Sequence, residues 1–145
     1  MRRIDHVGIV VRSIDASLDY YTKILGLDLI ADGPRPDGSV RLAYLAAGDT
    51  TVQLVEPLAL GPVAHALELM GEGLHHICFA VDDLEAALSG LPGEGDQPVE
   101  DGGLGCRVAF LSAVPSGVRI ELSEGPRQAN VDGLDGMEPA LFPAT

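Results

Sequence analysis

Apolar and polar residues alternate through Ile4-Asp5-His6-Val7-Gly8-Ile9-Val10-Val11, and the rhythm returns in Leu74-His75-His76-Ile77-Cys78-Phe79-Ala80-Val81. A period of two marks a β-strand with one buried face, so each stretch predicts a strand. Each runs into a polar stop followed by helical spacing. Ile14, Leu18, Tyr21 and Leu25 recur at helical intervals before Gly26, which predicts a first helix with a glycine stop. Asp82 and Glu85 form a capping box ahead of a shorter second helix near 83–88.

Two more segments recur in the same order. Arg41-Leu42-Ala43-Tyr44-Leu45 matches Arg107-Val108-Ala109-Phe110-Leu111, and Val52-Gln53-Leu54 matches Ile120-Glu121-Leu122. The changes of spacing fall in turns such as Gly48-Asp49 and Pro115-Ser116-Gly117. Weaker strands are expected over 27–31 and 97–100. The chain therefore predicts strand, helix and three strands, repeated twice, in an α+β domain spanning 1–145. Module one covers about 3–57, a connecting helix about 61–71 and module two about 73–124. Residues 126–145, rich in Gly, Pro and Asp, show no period and are assigned no regular structure.

Strand alternation sorts the polar residues by face. Val7, Ile9 and Val11 share the face that should meet the helix, while His6, Gly8 and Val10 share the other. The second copy divides the same way, Ile77, Phe79 and Val81 against His76, Cys78 and Ala80. Gln53 lies opposite the core residues Val52 and Leu54. Arg119, Glu121 and Ser123 lie opposite Ile120 and Leu122. One histidine or carboxylate on a strand is ordinarily structural. Here each module contributes a histidine from its first strand and an amide or carboxylate from its last, all on the face away from the helices. That pattern predicts one divalent cation held by His6, Gln53, His76 and Glu121, a donor set suited to zinc, iron, cobalt, nickel or manganese. His75, by parity, should point to the helix side or an edge, and His65 belongs to the connecting helix. Both receive a structural reading.

Leu42 and Tyr44 share a face, with Val108 and Phe110 as counterparts, so this lining is apolar apart from the Tyr44 hydroxyl. Arg119 has the parity of Glu121 and is a candidate for a substrate carboxylate or phosphate. Glu121 is a candidate base as well as a ligand, Tyr44 a second candidate, and Glu56 a further carboxylate should the strand edge bend.

Composition removes several classes. A net charge of −13 with only nine Lys and Arg leaves no basic patch for nucleic acid. No apolar run is long enough to cross a bilayer. The first residues lack the charged, apolar and small-residue regions of a secretory leader, so a cytoplasmic location is expected. Two cysteines, Cys78 and Cys106, are too few and too far apart for a disulfide framework and are expected to be reduced and buried.

Four segments, Ile4 to Val11, Gln53-Leu54-Val55-Glu56-Pro57, Gly71-Glu72-Gly73-Leu74-His75-His76-Ile77 and Ile120-Glu121-Leu122, resemble the vicinal oxygen chelate (glyoxalase/bleomycin resistance/dioxygenase) superfamily. The resemblance covers about 3–124 and is to the methylmalonyl-CoA epimerase-like branch in particular. It implies a cup-shaped, curved mixed β-sheet with flanking helices, a homodimer, and a metal bound at the positions of His6, Gln53, His76 and Glu121. It also implies enolate chemistry on a small molecule, an acyl-CoA or related carbonyl compound, with Leu42 standing where the family's catalytic glutamate would be. A glyoxalase-type lyase, or another metal-dependent enzyme on a specialised metabolite, is the alternative enzyme. Gln53 and the Gly-Glu-Gly-x-His-His stretch weigh against glyoxalase itself. An oxygen-activating dioxygenase, with two His and one carboxylate, would not need Gln53. A ligand-sequestering protein of the bleomycin-resistance type would use the apolar lining without four ligands.

Overall fold

A computed structural model of the protein describes Met1 and residues 3–125. The stretch 126–145, expected to be irregular, lies outside the described residues. The elements run β1 (Arg3–Val10), α1 (Ile14–Asp19), β2 (Asp28–Pro34), β3 (Val40–Ala47), β4 (Thr50–Pro57), α2 (Pro62–Met70), β5 (Gly73–Ala80), α3 (Leu84–Ser89), β6 (Glu100–Asp101), β7 (Arg107–Phe110) and β8 (Ile120–Glu124). The expected βαβββ order thus appears twice.

Eight strands form one sheet in the order β2-β3-β4-β1-β5-β8-β7-β6. Strand β1 pairs with β4 in parallel, β5 pairs with β8 in parallel, and β1 and β5 pair antiparallel at the centre. The halves are therefore related by a pseudo-twofold between β1 and β5.

Helices α1 and α3 each pack on their own module's core. Ile9, Val11, Ile14, Leu18, Tyr21, Ala43, Leu45, Val52 and Leu54 cluster in the first, and Phe79, Val81, Leu84, Leu88, Ala109, Ile120 and Leu122 in the second. Both helix starts are tied to the sheet by a glutamate from the last strand of the module. Glu56 Oε1 accepts from the Ile14 amide at 2.8 Å and Glu124 Oε2 from the Leu84 amide at 2.9 Å. Glu56, considered above as a carboxylate for chemistry, is thereby committed to helix capping.

Several local expectations are corrected. The second helix is capped by Asp83, whose side chain accepts from the Ala86 amide at 3.0 Å, so Asp82 and Glu85 form no capping box. Glu85 turns instead to Arg107. The first helix does not continue as α through Leu25. Residues Tyr20–Ile24 form a π turn, closed by the Leu25 amide on the Tyr20 carbonyl at 2.9 Å. More residues per turn rotate the end of the helix, so Leu25 is 53% exposed and Leu27 packs on the core in its place. Strand β2 extends past the expected 27–31, and the strand expected over 97–100 is the two-residue β6.

Candidate metal centre

Two rows of residues cross the sheet at the pseudo-twofold. His6 lies opposite Cys78, Cys78 opposite Glu121, and Glu121 opposite Phe110. In the other row His76 lies opposite Gly8, Gly8 opposite Gln53, and Gln53 opposite Tyr44. Each row reads histidine, small residue, oxygen donor, aromatic ring. The small residue is required where the neighbouring imidazole crosses its strand. A Cβ on Gly8 would overlap the ring of His76. Gly8→Val is therefore expected to displace His76 and weaken divalent-metal binding by at least about tenfold, read by titration with Co²⁺.

The rows bring His6, His76 and Glu121 together, all buried. Their donor atoms form a triangle: His6 Nε2 to His76 Nε2 3.1 Å, His6 Nε2 to Glu121 Oε1 3.1 Å, and His76 Nε2 to Glu121 Oε1 3.3 Å. Donors about 2.1 Å from one ion and about 90–110° apart stand about 3.0–3.4 Å from each other. The triangle and its donor chemistry fit a divalent cation. Gln53 is buried in the second row, and its Nε2 donates to the Tyr44 hydroxyl at 2.9 Å.

Two neighbours of the triangle escaped the sequence reading. Asp5 Oδ2 lies 2.8 Å from His6 Nδ1, and His75 Nδ1 lies 2.8 Å from His76 Nδ1. The expected parity of His75 fails because β5 bulges there: Gly8 pairs with His76, but Ile9 pairs with Leu74. A bulge turns the skipped residue out of alternation. His75 consequently lines the cavity beside Phe110, their ring centres 6.3 Å apart, rather than facing the helices. The signal available in the sequence was the repeat itself, which places Asp5 and His75 each one residue before a histidine of the triangle. His65 lies in α2 as expected, although it plays no part in the triangle.

Charge is strongly coupled at this site. Burial alone would lower His6, but hydrogen bonds to Asp5 and Glu121, with their negative charges, raise it above the ordinary histidine value. Burial works against the Glu121 carboxylate, yet hydrogen bonds from His6 and His76 and their positive charge hold it well below the usual range. His75 is pushed down to about 4 by burial and by the positive charge of His76 and Arg119. Cys78, beside Glu121, is raised by burial and by the carboxylates of Glu121 and Asp5. It stands near Asp5 and His6, but a thiol held protonated is a poor ligand.

These shifts set opposite pH limits in the metal-free protein. The contribution of Glu121 is complete above its unfolded value of 4.5 and fades as pH falls through the lowered folded value. That of His6 is complete below 6.5 and fades as pH rises through its raised folded value. Chelator-treated protein should therefore melt at lower temperature as pH rises past neutrality. Added divalent metal, which needs the deprotonated imidazole, should reverse the trend in the same melting series.

The donor triangle opens on a cavity of about 570 Å³. Val40, Leu42, Tyr44 and Val55 form its apolar wall, packed by Ile30, Val63 and Leu104. Val108, Phe110 and Arg119 also line it. Arg119 Nη1 donates to the His75 carbonyl at 3.1 Å. Gly103, from the second module, lies so close to Tyr44 that an added Cβ would overlap the hydroxyl. The cysteines Cys78 and Cys106 are both buried. Among the described residues, no helix is long and apolar enough to cross a membrane.

Paired βαβββ modules converging on two imidazoles and a carboxylate define a metal-cup protein. The model of the Glyoxalase/Bleomycin resistance protein/Dioxygenase superfamily matches residues 3–122. YqjC of Bacillus subtilis is 36% identical over 86% of this chain and 93% of its own length. Mitochondrial methylmalonyl-CoA epimerase of Homo sapiens is 31% identical over 84% of this chain and 73% of its own. A glutamate-to-leucine variant of Streptomyces coelicolor methylmalonyl-CoA epimerase, in complex with 2-nitronate-propionyl-CoA, superposes with a TM-score of 0.76. It is 31% identical, over 86% of this chain and 95% of that one. The chain belongs to the glyoxalase/bleomycin resistance protein/dioxygenase superfamily, and within it to the methylmalonyl-CoA epimerase-like branch.

Proposed function

We propose that the protein is a divalent-metal-dependent, epimerase-like isomerase that works through an enolate of an acyl-CoA or related carbonyl compound, with methylmalonyl-CoA the first substrate to test. The observation that carries this is the triangle of His6, His76 and Glu121 donors, 3.1–3.3 Å apart, opening into an apolar cavity. The similar epimerases support the substrate class. One of them holds a CoA ligand after losing a glutamate, so loss of one such side chain is compatible with occupancy.

His6, His76, Glu121 and Gln53 would hold the ion, and cobalt, manganese, nickel, zinc and iron all suit that set. A bound cation would supply Lewis acidity at the carbonyl oxygen, where negative charge develops as the α C–H bond breaks. Asp5 accepts the His6 Nδ1–H and so leaves Nε2 as the lone-pair nitrogen. Glu121, an ionised carboxylate in the cavity lining, is the base we assign to the α-proton. Tyr44, fixed by Gln53 and Gly103, offers a hydroxyl. Leu42, Val108 and Phe110 keep water from the carbanion face, and Arg119 receives the carboxylate or phosphate of the substrate. We further infer a homodimer, as the family likeness implies, acting in the cytoplasm.

Purified protein incubated with methylmalonyl-CoA in deuterated water should exchange the α-proton, seen by NMR, when Co²⁺ is present. Exchange should vanish with chelator and in His76→Ala. No exchange by metal-loaded protein would remove the enolate reading. Tight acyl-CoA binding without turnover would then favour a sequestering protein, for which the apolar wall around Leu42 is the supporting observation.

A further inference from the structure

The pseudo-twofold relates more than the donor atoms. In β1 the register against β5 slips between Ile4 and His6, skipping Asp5, and in β5 it slips between His76 and Leu74, skipping His75. Each strand therefore bulges at the residue before its ligand histidine. Each bulged side chain reaches the Nδ1 of that histidine at 2.8 Å. Asp5 and His75 are counterparts in sequence, in register and in contact.

Resting on the metal-site reading above, we propose that His75 is the positioning residue for His76, accepting its Nδ1–H and so fixing Nε2 as the metal-binding nitrogen. Two imidazole nitrogens 2.8 Å apart share one proton. If His75 donates it, the neutral His76 ring carries its own proton on Nε2, the atom that stands 3.1 Å from His6 Nε2 and 3.3 Å from Glu121. That tautomer has no lone pair for an ion. If His76 donates, its Nε2 is free to coordinate, and the proton of the neutral His75 ring resides on its own Nε2. Metal loading thus selects one tautomer of both rings. It also makes His75, a ring in the cavity lining, a hydrogen-bond donor.

The choice of imidazole at 75 has an electrostatic consequence. Asp5 and Glu121 already set two negative charges around a dication. A third carboxylate would blunt the pull of the ion on a substrate oxygen. A neutral acceptor orients His76 without that loss.

The test is Co²⁺ titration of the full chain by calorimetry and by visible absorption, for wild type, His75→Phe and His75→Asn. Phenylalanine keeps the ring and removes the acceptor; asparagine places an amide oxygen near the position of Nδ1. His75→Phe should bind Co²⁺ about ten- to a hundredfold more weakly, with an altered visible band. His75→Asn should recover most of the affinity and the band, and apo melting curves should show both variants folded. Wild-type affinity and spectrum in His75→Phe would overturn the proposal. So would a folded His75→Asn as weak as the phenylalanine variant; if His75→Phe does not fold, His75→Asn is compared with wild type alone, and a folded His75→Asn that binds Co²⁺ about ten- to a hundredfold more weakly than wild type overturns the proposal. Wild type that binds no Co²⁺ would remove the metal-site reading, a failure visible before any variant is made, and the proposal with it.

Discussion

Replacing Glu121 with glutamine is expected to lower metal-dependent α-proton exchange by about 10²–10⁴-fold while the fold persists. Glutamine keeps the volume and the place on β8 but removes the negative charge that both imidazoles face, His6 Nε2 at 3.1 Å and His76 Nε2 at 3.3 Å. A neutral amide is a weaker ligand for a dication and no base. The loss has two separable parts. Co²⁺ stoichiometry measured beside exchange divides them: retained Co²⁺ with lost exchange identifies Glu121 as the base, and loss of both makes ligation its first duty. Exchange at the wild-type rate in a folded Glu121→Gln protein would remove this residue from the chemistry. The charge change should also appear in the metal-free protein. Without the carboxylate, His6 loses one of the partners that raise it, and its titration, followed by NMR, should move down.

What the sequence could show was set by periodicity. The meeting of His6, His76 and Glu121, and the place of Gln53 in the row beside them, bonded to Tyr44, were legible because strand alternation holds through these residues and because they recur at matching repeat positions. The same rule misplaced His75, since a bulge breaks alternation and nothing in Leu74-His75-His76 announces one. Leu25 was misplaced for a related reason: the π turn at Tyr20–Ile24 changes the residues per turn, and Leu27 inherits the core position. The role of Asp5 depends on the same kind of slip in β1. Gly103 reaches Tyr44 through tertiary packing between modules, which no local pattern encodes. Regular elements and their faces were thus readable, whereas the irregularities that set Asp5 and His75 against the two imidazoles were not. The repeat carried part of that information, because it aligned Asp5 with His75.

Leucine at 42 makes the strongest demand on the epimerase-like reading, and Leu42→Glu is expected to raise the epimerisation rate by about 10²–10⁴-fold. Inverting a carbon requires a proton to leave one face and arrive at the other, so groups are needed on both sides. Glu121 supplies one carboxylate on β8. Across the cavity the wall is Val40, Leu42, Tyr44 and Val55, and Leu42 is 5% exposed. A glutamate there would enter an apolar setting that disfavours its charge and raises its pKa toward neutrality, the property a shared acid and base needs at physiological pH. The same burial should cost about 1–3 kcal/mol of stability, seen as a lower melting temperature. Leu42→Gln is the control, matching shape and polarity without a transferable proton. With single epimers of methylmalonyl-CoA in deuterated water, wild type should exchange faster than it inverts, and Leu42→Glu should bring the two rates together. A folded, Co²⁺-loaded Leu42→Glu that inverts no faster than Leu42→Gln would show that position 42 does not face the second side of the enolate. In that case the Tyr44 hydroxyl, held by Gln53 at 2.9 Å, becomes the group to change next.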